Sequence, residues 1–157
     1  MTTRVGLAYG PRFRAVRKVW INEDGVVASL ASPDEIGVDV EGYRIHPAFL
    51  DGAFQLLVDM LAEEIVDVGS PAFVPIQMGR LRVARESAGQ PAYVKASLVR
   101  RSPRSVVVDY ALHDREGRLL ARVENVRFRG VQLRRNVMEQ AHYLRNSLVP
   151  SPSPRLG

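Results

Sequence analysis

Short runs in which apolar and polar residues alternate make up most of this chain, and one longer stretch has a different spacing. Alternation with a period of two is typical of β-strands that bury one face. In residues 47–64, apolar residues such as Leu50, Leu57 and Leu61 recur with helical spacing, which predicts one long helix. The predicted strands cover residues 14–21, 26–31, 73–84, 92–101, 105–113 and 119–131, and residues 32–42 are predicted to form a loop.

The predicted order of elements is therefore two strands, one long helix and four strands. Because the first half of the helix is apolar on both faces, we expect a sheet to enclose it. The apolar run over residues 106–112, interrupted only by Asp109, is too continuous for a one-sided strand and predicts a strand in the middle of that sheet. The fold class is thus α+β, with one curled antiparallel sheet around a central helix in residues 1–135. Residues 136–157 are predicted to form a short helix and a Pro/Ser-rich linker tail, which suggests one element of a larger assembly.

Composition narrows the class of protein. The 157 residues are enough for one sizeable core, and a hydrophobic content of 46% is ordinary for a soluble protein. The sequence contains no apolar run long enough to cross a bilayer, so we expect a cytoplasmic protein that does not bind membranes. It has no cysteine and only scattered histidines, so neither a disulfide framework nor a metal site is expected.

The net charge of +5 comes almost entirely from arginines, since Lys18 and Lys95 are the only lysines. A basic chain raises the question of nucleic-acid binding. Here the arginines alternate with apolar residues in predicted strands, which places them on one solvated face of a sheet rather than in a concentrated patch. We therefore expect no nucleic-acid partner and favour an acidic protein.

Asp51 and Gln55 are the candidate chemical groups of the predicted helix. They are four residues apart, so they project from the same face, one turn from each other. An aspartate among apolar helix residues loses hydration, which favours its neutral form and makes it a candidate proton donor. The alternative is that Asp51 caps the helix or faces solvent, and the segment alone leaves both open.

Two motifs resemble those of polyketide synthase dehydratase domains. Residues 9–13 read YGPRF, similar to the YGPxF element that opens the second hotdog of that double-hotdog fold, and Phe13 is predicted to lie in the core. Residues 46–55 read HPAFLDGAFQ, similar to the HPxxLDxxxQ element on the central helix. Residues 73–81 resemble the strand that follows. The chain is thereby identified as similar to the C-terminal hotdog half.

The resemblance implies a hydro-lyase component that removes water from a carrier-bound 3-hydroxyacyl thioester. Asp51 would be the general acid and Gln55 would hold it by a hydrogen bond. Tyr9, Gly10, Pro11 and His46 are the substrate-binding candidates, although Tyr9 is equally well explained as packing beside a turn and His46 as structural. The family's catalytic histidine lies in an HxxxGxxxxP motif, which none of the three histidines of this chain matches.

The resemblance also implies partners. The substrate would arrive on the phosphopantetheine of an acyl carrier protein, and the protein would need no cofactor of its own. The missing histidine would come from an N-terminal hotdog half, and the alternative is a dimer of this chain with itself. Two other functions stay open: a catalytically incomplete hotdog that binds acyl groups or carrier proteins as a scaffold, and a related double-bond isomerase or cyclase.

Overall fold

The computed structural model describes residues 10–61, 72–85 and 89–131. The seven strands are β1 (Val16–Asn22), β2 (Gly25–Leu30), β3 (Ala72–Gln77), β4 (Arg80–Val83), β5 (Tyr93–Ser102), β6 (Ser105–His113) and β7 (Leu119–Val131). They form one antiparallel sheet in the order β1-β2-β5-β6-β7-β3, and β4 pairs with another part of β7. β6 lies between β5 and β7, as the apolar run predicts.

The long helix, α2 (Pro47–Met60), begins at the predicted proline. It contacts β1, β2 and β5, and its Phe54 reaches further across the sheet to Tyr110 on β6, with ring centroids 5.3 Å apart. The core lies between helix and sheet, where Phe49, Leu56 and Leu57 of α2 are buried. A curled antiparallel sheet around one long helix is the α+β arrangement that the sequence predicts.

The connection between β2 and α2 differs from the predicted loop. It contains a short helix, α1 (Pro33–Ile36), which follows Ser32. The Glu35 carboxylate accepts hydrogen bonds from the Ser32 backbone N–H at 2.7 Å and from the Ser32 hydroxyl at 3.0 Å. Ser-Pro-Asp-Glu is a helix-start signature, so the sequence contained the signal that the loop prediction missed.

The strand predicted over residues 73–84 is in fact two strands, β3 and β4. Pro75 cannot donate to a neighbouring strand, and the register against β7 shifts just after it. At Gly79 the chain passes so close to β7 that a Cβ would lie 2.9 Å from the carbonyl oxygen of Glu124. The apolar positions change from even-numbered (Ile76, Met78) to odd-numbered (Leu81, Val83) across Gly79, so the sequence contained a sign of the break that the single predicted strand missed.

One prediction about side-chain burial is wrong, and two others concern residues that the structure does not describe. Phe13 was predicted to lie in the core, but it is 44% exposed because it belongs to a short 3-10 helix, Pro11–Phe13, at the surface. The tail predicted for residues 136–157 lies outside the described residues, as does Tyr9. In the described part of the chain, no helix is long and apolar enough to span a membrane.

Candidate active site

Asp51 and Gln55 are joined on α2 as predicted. The Gln55 side-chain amide donates a hydrogen bond from Nε2 to Oδ2 of Asp51 at 2.7 Å. Asp51 is half-buried, whereas Gln55 is 7% exposed and belongs to the few polar residues in the core. The helix spacing of four residues thus brings an acid at the surface of the core into contact with a buried amide.

A second hydrogen bond fixes the direction of the Gln55 amide. Nε2 also donates to the backbone carbonyl oxygen of Phe13 at 2.9 Å. A carbonyl can only accept, so the NH₂ group must face Phe13, and its other proton then points at Asp51. Since Oδ2 of Asp51 accepts from Gln55, the remaining oxygen, Oδ1, is the one that would carry the proton of the neutral acid.

The pKa of Asp51 lies above its ordinary range. Burial is the larger cause, because it removes water from the carboxylate and disfavours the charged form. The hydrogen bond from Gln55 acts in the opposite direction and lowers the pKa, but by less. A carboxylic acid with a raised pKa that projects one oxygen away from its support is suited to donating a proton.

Gly52 explains how α2 and the segment that carries the Phe13 carbonyl come so close together. A Cβ at this position would lie 3.0 Å from Cβ of Ala15, which directly precedes β1. The backbone of Ala15 is itself held, because its carbonyl oxygen accepts a 2.7 Å hydrogen bond from the N–H of Ala31. The glycine therefore allows α2 to approach the segment that carries Phe13.

His46 occupies the N-cap of α2 and is half-buried. Its Nδ1 accepts a hydrogen bond from the backbone N–H of Ala48 at 3.1 Å. The ring also makes an edge contact with Tyr43, with centroids 4.8 Å apart. In this tautomer the proton is on Nε2, so His46 has a clear structural task at the start of the helix that bears Asp51.

Of the remaining substrate-binding candidates, Tyr9 lies outside the described residues, and Gly10 and Pro11 lie at the surface near the Phe13 contact. Gly10 precedes the 3-10 helix as its N-cap and Pro11 is its first residue, and both are exposed. Their backbone places the Phe13 carbonyl within reach of Gln55. No sequence signal links Phe13 to Gln55, because the two residues are 42 positions apart and the contact is made by a backbone atom. Among the described residues, no cluster of acidic and histidine side chains could hold a metal ion.

The comparison with protein families decides the assignment. The family model described as the polyketide synthase dehydratase N-terminal domain matches residues 1–135. This chain belongs to the polyketide synthase dehydratase family. The description of the family model names an N-terminal domain, whereas the motifs at residues 9–13 and 46–55 resemble the C-terminal half. For this dehydratase-family chain, the C-terminal assignment therefore stays a prediction.

Curated relatives of this dehydratase-family chain are much longer proteins. It is 36% identical over 138 residues to the polyketide synthase-like protein Preu9 of Preussia isomera, covering 79% of this chain and 6% of that protein. It is 33% identical over 106 residues to the mycoketide-CoA synthase of Mycobacterium tuberculosis, covering 68% of this chain and 2% of the synthase. The chain spans only a small part of the length of either relative.

Solved structures confirm the hotdog fold. The dehydratase domain of the CurJ module of curacin polyketide synthase superposes with a TM-score of 0.67 at 22% identity, covering 82% of this chain and 46% of that domain. The dehydratase domain of PpsC from Mycobacterium tuberculosis, solved in complex with C12:1-CoA, gives a TM-score of 0.64 at 21% identity, covering 83% and 49%. The dehydratase-family chain thus matches about half of each of these two domains.

Proposed function

We propose that this chain is the C-terminal hotdog of a dehydratase and supplies Asp51 as the general acid of water elimination. The substrate is a 3-hydroxyacyl thioester on the phosphopantetheine of an acyl carrier protein. A base removes the proton next to the carbonyl, a carbon–carbon double bond forms, and the C–O bond breaks. Asp51 donates its proton to the departing hydroxyl, which leaves as water, and the product is a 2-enoyl thioester.

The geometry around Asp51 is the observation that carries the proposal. Burial raises the pKa of Asp51, which increases the protonated fraction near neutral pH. Gln55 occupies Oδ2 and leaves Oδ1 for the proton, while the Phe13 carbonyl prevents the amide from turning over. Asp51 is therefore the proposed catalytic residue and Gln55 a positioning residue that acts through it.

The base is proposed to come from an N-terminal hotdog half, because this chain has no HxxxGxxxxP motif. His46 is a poor substitute, since its Nδ1 already accepts the N-cap hydrogen bond of α2. The lack of this motif in the sequence also favours a second candidate function. A hotdog with an acid and no base of its own would bind acyl groups or carrier proteins as a scaffold and would not turn them over.

The deciding experiment measures water loss from a 3-hydroxyacyl-pantetheine thioester by mass spectrometry. The chain is assayed alone and mixed with a separately expressed N-terminal hotdog that bears HxxxGxxxxP. We expect turnover only in the mixture, and a loss of about 10²-fold or more in Asp51→Asn, as is typical for a removed general acid. Asp24→Asn, an exposed aspartate in the β1–β2 turn, is the matched control.

The outcomes separate the candidates. Equal turnover by the wild-type mixture and Asp51→Asn would show that Asp51 is not the acid. Turnover by the chain alone would show that it contains its own base. If carrier protein binds but no mixture turns the substrate over, the scaffold is the correct function.

A further inference from the structure

Four exposed arginines lie at the end of the sheet near the β5–β6 hairpin, three of them at strand positions on its outer face, and we call them the arginine patch: Arg100, Arg104, Arg127 and Arg129. Arg127 pairs in register with Val107, which pairs with Arg100, so the three residues form a row across β7, β6 and β5. Arg129 lies one row further along, opposite Ser105. Arg104 lies in the hairpin turn, where its carbonyl oxygen accepts a hydrogen bond from Gly130.

The alternation of the strands assigns this row to the outer face. Val106, Val108 and Phe128 belong to the hydrophobic core between sheet and helix. Val107 and Arg127 are their immediate neighbours in sequence, so their side chains point away from the core. The sequence predicted dispersed arginines on a solvated face. The solvated face is correct, but pairing between strands brings Arg100, Arg127 and Arg129 together at one end, beside Arg104 in the hairpin turn.

The positive charges of the arginine patch are not neutralised by carboxylates of the described residues. Its four residues are exposed, and none forms an ion pair with a carboxylate in residues 10–61, 72–85 or 89–131. The two acidic residues nearest in the register are otherwise engaged. Asp109 accepts a 2.7 Å hydrogen bond from the backbone N–H of Asn125, and Glu124 forms an ion pair with Arg82.

Val107 is a covered apolar residue in the middle of the patch. It is only 5% exposed although it lies on the outer face and outside the core cluster. The register places Arg100 and Arg127 on either side of it, and arginine stems cover apolar surface while their charged ends stay in water. Stems that lie over Val107 would present two guanidinium groups at a defined separation, which would lower the entropy lost when they bind a partner.

We propose that the arginine patch docks an acidic helix of the carrier protein that brings the substrate, an inference that rests on the proposed function. Strands are about 4.8 Å apart, so Arg100 and Arg127, two strands apart, are separated by about 10 Å. Acidic residues seven positions apart on a helix are separated by about 10.5 Å. Guanidinium groups bind carboxylates in a bidentate geometry, and the net charge of +5 steers an acidic partner toward this chain.

The test measures binding of an acidic acyl carrier protein by fluorescence anisotropy at low and high salt. Arg100→Gln/Arg127→Gln removes two charges and keeps much of the stems over Val107. Arg17→Gln/Arg82→Gln removes the same charge from arginines that pair with Glu35 and Glu124. We expect at least tenfold weaker binding for the patch variant, less than twofold for the control, and weaker wild-type binding at high salt.

Three results would overturn the proposal. The carrier protein does not bind, the two double variants lose affinity equally, or a DNA duplex or an anionic vesicle binds more tightly than the carrier protein and loses affinity in the patch variant. Binding needs no turnover, so Asp51→Asn should bind the carrier protein normally. Turnover therefore tests the role of Asp51 and carrier-protein binding tests the arginine patch, so failure of one proposal is distinguished from failure of the other.

Discussion

Gly52→Ala tests whether the close approach of α2 to the segment before β1 holds the acid in place. In an unconstrained helix interior, replacing Gly by Ala raises the free energy of unfolding by about 1 kcal/mol. Here the new Cβ would lie 3.0 Å from Cβ of Ala15, several tenths of an ångström inside ordinary contact. The hydrogen bond from Ala31 to the Ala15 carbonyl resists a shift of that segment. Overpacking of this kind costs about 1–3 kcal/mol.

The displacement has a direct route to the site. Moving residues 13–15 away from α2 lengthens the 2.9 Å hydrogen bond between Gln55 and the Phe13 carbonyl. We therefore expect Gly52→Ala to lower the free energy of unfolding by about 1 kcal/mol, after the helix gain offsets part of the overpacking. Dehydration by the two-hotdog mixture should fall as well, because the Gln55 amide loses its fixed direction.

The matched background is Ala15→Gly, which removes the atom that the new methyl group meets. In that background Gly52→Ala should stabilise by about 1 kcal/mol, so the sign of its effect reverses. Urea denaturation gives the four free energies of the cycle, and the mass-spectrometric assay gives turnover. Stabilisation by Gly52→Ala in the wild-type background, with unchanged turnover, would refute the packing argument.

Three further predictions concern single side chains. Gln55→Ala removes the hydrogen bond that lowers the pKa of Asp51, so the pKa of Asp51 should rise further. NMR titration of the Asp51 carboxyl carbon measures this pKa, and an unchanged or lower pKa would contradict the role of Gln55. Tyr110→Phe should raise the free energy of unfolding, measured by urea denaturation, by about 1 kcal/mol, because the buried hydroxyl has no hydrogen-bond partner among the described residues. A decrease in the free energy of unfolding would show that the hydroxyl has a hydrogen-bond partner. Burial raises the pKa of Asp114, but the hydrogen bonds and charge of Arg118 lower it by more. The ionised Asp114 carboxylate therefore stabilises the folded protein at neutral pH, and this contribution is lost as the pH falls through the lowered pKa. Asp114→Asn should therefore lower the melting temperature at pH 7 and less so in acid, and an equal loss at both would count against this linkage.

Local patterns predicted the elements that depend on local chemistry. Pro47 and the apolar spacing predicted α2, and the spacing of Asp51 and Gln55 predicted that they share one helix face. The hydrogen bond between them, which the family resemblance implied, is present. The division of one predicted strand at Gly79 depends instead on how closely β7 passes, and the change in the phase of alternation at Gly79 marks a break without giving that distance.

The same limit applies to the site. The Phe13 carbonyl is a backbone atom, and every residue has one, so no residue type marks the position as an acceptor for Gln55. The arginine patch was missed for a related reason. Arg100 and Arg127 are far apart in sequence, and only the register of β5, β6 and β7 makes them neighbours.

The hydrogen bond from Gln55 to Phe13 has a consequence for building hybrid enzymes. It makes the smallest transferable active-site unit discontinuous, since the helix with its acid and the strand entry with its carbonyl must come from the same parent. A graft of residues 46–61 alone would import a proton donor whose amide support has to find a new acceptor in the recipient. Exchanging residues 10–15 together with that helix keeps both halves of the contact, and junctions placed on either side of these two segments preserve it.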